Sequence, residues 1–220
     1  MKKNVLCLLG PNGCGKSTLG RYLSNIEAHV IVTSEVLEQE KNNNPVVAKT
    51  IYHYKEVLKQ NVPCEIVVEA VTKAFRKKAF GREGLFVLDG MGRTPKQMSM
   101  ISESIKVRKA FQETRLGFVF LTLPWEEVKS RVEHRVQEFI DRGEEPRVED
   151  TLKIARQRFE TYMSAQESLI NRARNVSGWV SIFDLQKYTT IEIAAMIHGM
   201  VHETEPESIV QKLRQTFRVA

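Results

Sequence analysis

The run Gly10-Pro11-Asn12-Gly13-Cys14-Gly15-Lys16-Ser17 constrains this chain more than any other stretch. It satisfies G-x-x-x-x-G-K-[ST] in full. Glycines in such a loop let consecutive backbone N–H groups turn inward around phosphate oxygens. The lysine reaches the β- and γ-phosphates, and the hydroxyl ligates Mg²⁺. A loop of this kind needs a strand before it and a helix after it, and both are present. Val5-Leu6-Cys7-Leu8-Leu9 is a continuous apolar run, as a buried parallel strand requires, and residues 16–24 read as a helix. Gly10, Asn12, Gly13, Cys14, Gly15, Lys16, Ser17 and Thr18 are therefore the expected nucleotide-phosphate contacts, with Ser17 on the metal.

Apolar runs recur at residues 29–33, 84–89, 118–123 and 179–183. Between them lie helical patterns. Residues 34–80 are helical, broken at Asn42-Asn43-Asn44-Pro45 and at Val62-Pro63. Residues 95–111 and 124–140 follow, then a long helix after the breaker stretch 141–146 to about residue 174, and finally 189–201. Strands alternating with helices predict an α/β fold with a doubly wound, five-stranded parallel sheet. Such sheets bind ligands at the carboxyl ends of their strands. The glycine-rich loop and Asp89 both fall there. Residues 203–207 are polar, and Ile209, Leu213 and Phe217 then repeat at i, i+4. That stripe is expected to dock on the chain's own core, with a partner-binding helix as the alternative.

With 220 residues, 42% of them hydrophobic, the chain suits one compact domain and not a disordered one. Its formal charge of +6 suits a polyanionic ligand, for which a nucleotide suffices. No dense Lys/Arg block points to nucleic acid. Cys7, Cys14 and Cys64 form no C-x-x-C pair, so no zinc site is expected, and their scatter suggests a reduced, cytoplasmic setting. The run at residues 5–9 is too short for a signal peptide or a membrane span.

Asp89 ends an apolar strand, as a Walker-B-type acid does, and is the second expected metal ligand. It opens Asp89-Gly90-Met91-Gly92-Arg93-Thr94-Pro95-Lys96-Gln97, which resembles the adenylate kinase family of nucleoside monophosphate kinases. Gly90, Arg93, Thr94 and Gln97 match that pattern. Met91 and Gly92 replace its aromatic residue and proline. The resemblance implies that Arg93 grips the acceptor phosphate and Gln97 contacts the acceptor base, with Gly90 beside them. Arg131 and Arg135, four apart on one helix face, resemble the pair that opens the family's lid. They would cover the ATP base and touch its phosphates. The stretch from Arg147 through Glu149-Asp150 to Arg158 and Tyr162 looks like the segment after that lid. Eleven residues at about 100° each make three turns plus about 20°. Arg147 and Arg158 face one cleft if the helix reaches back to Arg147. Leu152, Ala155, Phe159, Tyr162 and Leu169 supply the apolar stripe that anchors this helix. Few residues separate Arg135 from Arg147 and none is Cys, so the lid should be a small flap without metal.

The match is looser at Thr33-Ser34-Glu35-Val36-Leu37-Glu38. Thr33 and Glu35 fit the family's acceptor motif, but Glu38 stands where the family has a phosphate-binding arginine. Three readings stay open: Glu38 points away, another cation (Lys73 or Arg76) substitutes, or the acceptor is not AMP. The resemblance implies one P-loop kinase domain over residues 1–220. A helical acceptor lobe would occupy 34–80, a short lid 132–147, and a C-terminal helical extension 203–220. It implies transfer of the γ-phosphoryl group of ATP, with Mg²⁺, to a nucleoside monophosphate, AMP first, by a monomeric protein. Lys16, Arg93, Arg135, Arg147 and Arg158 form the expected catalytic set, because phosphoryl transfer relies on fixed cations more than on covalent help. Two other readings remain: a P-loop kinase for a different small acceptor, and a nucleotide-binding regulator without turnover.

Overall fold

A computed structural model describes residues 3–58, 61–106, 114–146 and 151–217. Arg147, Glu149 and Asp150 lie outside them, as does the end of the helix expected to run to residue 111. Strands β1 (Lys3–Leu9), β2 (His29–Val32), β3 (Gly84–Asp89), β4 (Thr114–Thr122) and β5 (Trp179–Asp184) form one sheet in the order β2-β3-β1-β4-β5. Every pairing is parallel. The chain leaves β1 past β3 to reach β2, and leaves β3 across β1 to reach β4. These opposite departures place the topological switch between β1 and β3, where a doubly wound sheet opens a ligand crevice. The fold is the expected α/β architecture, consistent with a P-loop NTPase.

Two apolar layers sandwich the sheet, and strand alternation assigns residues to them. Val5, Cys7, Phe86, Leu88, Phe118 and Phe120 face one layer, with helices α4 (Cys64–Ala79) and α5 (Pro95–Lys106). Leu6, Leu8, Val87, Val119 and Leu121 face the other, with α1 (Lys16–Ser24) and α8 (Thr190–His202). Burial on both faces explains why β1, β3 and β4 read as unbroken apolar runs. Each fully buried Phe contributes about 1.5–3 kcal/mol from area alone. Gly117 in β4 has a packing reason. A Cβ there would lie 2.0 Å from the Trp179 indole, so the ring lies across the glycine.

Between β2 and β3 the chain forms α2 (Thr33–Asn43), α3 (Pro45–Tyr52), a π-helical turn (His53–Val57) and α4. Asn44 both stops α2 and starts α3. Its Oδ1 accepts from the N–H groups of Val46 and Val47 at 3.1 and 3.3 Å, and Pro45 fills the first turn. Helices α6 (Trp125–Asp141) and α7 (Leu152–Val176) connect β4 to β5. They are pinned by Trp125 against Phe159, ring centroids 5.5 Å apart, with the Arg156 guanidinium over the indole. Helix α9 (Pro206–Phe217) settles the fate of the C-terminal stripe. Leu213 is fully buried, and Phe217 meets Tyr22 of α1 edge-on at 4.7 Å, so the stripe docks on its own core. No helix among the described residues is long and apolar enough to cross a membrane.

Candidate active site

The phosphate loop leaves the carboxyl end of β1 and closes on the first turn of α1. Gly10 is required by contact: a Cβ there would meet Cys14 Sγ at 2.6 Å and Leu121 at 3.1 Å. Gly15 is required by conformation, since it caps α1 at φ +98°. Lys16 Nζ donates to the carbonyls of Gly10 at 2.9 Å and Pro11 at 2.8 Å, so its ammonium lies within the loop's curve. Ser17 is exposed at the mouth, while Asn12, Gly13 and Thr18 are half-buried around it. From α6, Arg131 Nη1 donates to the Cys14 carbonyl at 3.0 Å and braces the loop from outside. Arg135, one turn along the same helix, is half-buried with its Nε enclosed.

Asp89 ends β3 opposite Leu8 of β1 and is 6% exposed. Burial pushes its carboxyl above the ordinary range. Lys16 and Arg93 oppose that shift, and Glu35 adds to it. Lys16, Arg93 and Glu35 are thus the charged groups that act on this carboxylate. Thr33 Oγ1 donates to the Asp89 carbonyl at 2.7 Å, tying the start of α2 to the end of β3.

The Gly90–Gln97 turn is built to present Arg93. Arg93 Nε donates to the Gly90 carbonyl at 3.1 Å, and its backbone N–H donates to Gln97 Oε1 at 2.9 Å. Gln97 is itself buried, and its N–H is capped by Thr94 Oγ1 at 3.1 Å. Crowding by protein pushes the Arg93 guanidinium down, Asp89 pushes it up, and Arg158 pushes it down. The residue as a whole stays open to solvent, and a guanidinium keeps its proton under such pressure, so Arg93 is a cation. Arg158, exposed on α7, acts electrostatically on Arg93. Arg147, its expected companion, lies outside the described residues.

Glu38 is on the outer side of α2, 57% exposed, and pairs with Lys41 at 2.9 Å. Lys73 pairs with Glu40 at 2.8 Å. Arg76 donates from Nη2 to the Ser104 carbonyl at 2.9 Å. Glu38 therefore has a local cation, while Lys73 and Arg76 are each engaged elsewhere. Sequence reasoning missed Thr190, whose Oγ1 lies 3.8 Å from where a Gly15 side chain would begin. The available signal was the Thr189–Glu192 capping box, which fixes the N-terminus of α8 beside the loop.

The chain is 30% identical over 172 residues to the adenylate kinase of Nitrobacter hamburgensis, covering 76% of this chain and 77% of that one. It belongs to the adenylate kinase family. The adenylate kinase of Nitrobacter winogradskyi is 28% identical over 193 residues, covering 83% and 89%. No protein-family model matches the chain. Membership in the adenylate kinase family supports a nucleotide kinase activity, and the crevice between β1 and β3 is the place in this fold for it.

Proposed function

We propose that this chain moves the γ-phosphoryl group of ATP onto a nucleoside monophosphate, with AMP as the favoured acceptor. One observation carries the reading: Lys16 Nζ lies within the glycine loop at the end of β1, and Arg93, held by Gly90 and Gln97, stands just past the end of the adjacent strand β3. Lys16 lies on the donor side, where a phosphate must compete with the Gly10 and Pro11 carbonyls for Nζ. Arg93, fixed by Gly90 and Gln97, lies on the acceptor side. Arg158 on α7 acts on Arg93, and Arg131, which donates to the Cys14 carbonyl, and Arg135 lie along α6 beside the donor loop. An acceptor phosphate oxygen attacks the γ-phosphorus and ADP departs, so charge builds on oxygens that these cations face. The lobe at 34–80 and the flap at 132–147, to which Arg147 would belong, would close over the pair and exclude water.

Mg²⁺ fits the residues present. Ser17 offers a hydroxyl at the loop mouth and Asp89 a carboxylate behind it. Among the described residues no cluster of three or more His, Cys, Asp or Glu could hold a metal alone. That suits an ion taking most of its ligands from phosphates and water. When bound, the metal would neutralise phosphate charge.

The exposed Glu38–Lys41 pair supports AMP over a different small acceptor, because the acid is neutralised on an outer face. The test is ADP formation from ATP with AMP, CMP, UMP, GMP, dTMP and non-nucleotide acceptors. Turnover with AMP above the rest is expected. Turnover only with a non-nucleotide, or with nothing, overturns the reading.

A further inference from the structure

Away from the crevice, α4 and α5 flank an open groove of about 480 Å³ that the kinase reading does not use. Its chemistry is ordered along α4. Glu65 and Glu69 lie toward the N-terminus, and Thr72, Lys73 and Arg76 toward the C-terminus. Val68 and Met100 form an apolar wall between them. Glu65 is closed off by an ion pair with Lys96 of α5, whereas Glu69 is exposed and has no ion-pair partner among the described residues. Seven residues of helix separate Glu69 from Arg76, about 10 Å.

Two donors behind the groove are unsatisfied. Thr72 is 4% exposed, and its Oγ1 has no hydrogen-bond partner. Arg76 Nε is likewise buried and unpartnered, although Nη2 reaches the Ser104 carbonyl. They are one helical turn apart on one face. A buried donor without an acceptor is costly, and two lining one groove mark a place for an acceptor-rich group. A guanidinium edge and a hydroxyl match a phosphate, and Lys73 at the rim would exchange its Glu40 partner for it. The opposite end demands a donor for Glu69, and the wall between demands a flat or apolar body.

We propose that the α4–α5 groove is a second nucleotide site. It takes a nucleoside monophosphate whose phosphate accepts from Arg76, Thr72 and Lys73, whose base lies on Met100 and Val68, and whose exocyclic amino group donates to Glu69. Binding there requires Arg76 to turn its buried Nε toward the phosphate while Nη2 leaves or keeps the Ser104 carbonyl. The site is regulatory, because its walls are the helices that present the acceptor side of the crevice. Helix α5 begins at the turn where Gln97 holds Arg93, and α4 begins at Cys64, whose Sγ meets Thr94 Oγ1 at 3.4 Å. A ligand that sets the α4–α5 spacing biases that turn, and acceptor binding biases the groove in return. Only this coupling rests on the kinase reading; binding in the groove does not.

The Met100 methyl group is a reporter inside the groove. With methyl-labelled full-length protein, AMP is expected to shift the Met100 resonance in the wild type and in Arg93→Ala at similar concentrations. Glu69→Lys, on an exposed position, should weaken that response about tenfold or more. Arg76→Gln should do the same, and Glu69→Lys keeps the test valid if Arg76→Gln fails to fold. Inorganic phosphate at equal concentration should shift Met100 far less than AMP does. A response abolished by Arg93→Ala but untouched by Glu69→Lys overturns the proposal, as does an equal response to phosphate or no response at millimolar AMP. A Met100 response in a protein without turnover sustains the groove and sinks the kinase reading. Turnover without that response does the opposite.

Discussion

Lys16 Nζ is held by two carbonyls of its own loop, as suits a cation kept for the proposed donor phosphate. Removing it leaves the loop glycines and their N–H groups in place. Lys16→Ala should therefore keep the fold and lower kcat by about 10²-fold or more, the usual loss when one fixed donor at a migrating charge is removed. Circular dichroism and a coupled ADP assay read both halves, and an unfolded or fully active mutant contradicts the assignment. Arg93 is a contrasting case, since its N–H, Nε and neighbouring Gln97 form a support that belongs to β3 and α5. Arg93→Ala should raise the acceptor KM and lower kcat while ATP binding measured alone stays within about threefold. Collapse of ATP affinity would place Arg93 on the donor side instead. Glu38 tests the acceptor lobe. An exposed i, i+3 pair with Lys41 contributes little, so Glu38→Arg should change kcat/KM for AMP by less than about threefold. A gain of about tenfold or more would show that Glu38 repels the acceptor phosphate.

At the scale of elements, α9 is the clearest case of a helix held by tertiary packing. Its stripe is Ile209, Leu213 and Phe217, and Leu213 is fully buried against the layer that contains α8 and α1. Leu213→Ala should cost about 2–5 kcal/mol in urea unfolding, toward the low end if α9 undocks locally. A cost under about 0.5 kcal/mol would mean that the helix is not seated. Local periodicity placed α1, β3 and β5 within a residue, because each pattern depends on its own neighbours. Strand β4 begins at Thr114, four residues before its strongest apolar run, because sheet pairing with β1 extends it through Arg115. The Glu38–Lys41 pair is a helical spacing and so readable once residues 33–43 are helical. Lys73 with Glu40, Arg76 with Ser104, and Thr33 with Asp89 are not readable, since each joins elements far apart in sequence. The donor loop is legible because backbone geometry demands its glycines. The proposed acceptor side is less so, because its expected residues come from α2, from the turn after β3 and from α5.

Across the whole molecule, proton uptake at the C-terminal corner should lower global stability. His198 and His202 stack on α8 with ring centroids 4.4 Å apart, and His198 Nδ1 meets Thr204 Oγ1 at 2.8 Å where the chain turns into α9. Burial pushes the His198 imidazole below its ordinary value, with His202 and Lys212 acting in the same direction and Glu27 against them. His29, at the far edge of the sheet, is pushed down by burial and by Arg82 and Lys78. In both cases the folded state binds a proton less readily than the unfolded chain. Their contribution is therefore fully present above the unfolded value of about 6.5 and is lost as pH falls through the lowered folded value. Denaturation midpoints should fall on acidification from about pH 7.5 to about pH 5.5, and His198→Gln should flatten part of that slope. Hydrogen exchange gives the spatial half of the test. Amides of α9 should lose protection before those of β1 and β3, because α9 packs on the helix that carries both histidines. A midpoint that rises on acidification over that window, or a slope that His198→Gln leaves untouched, would show that the corner is not where the protons bind.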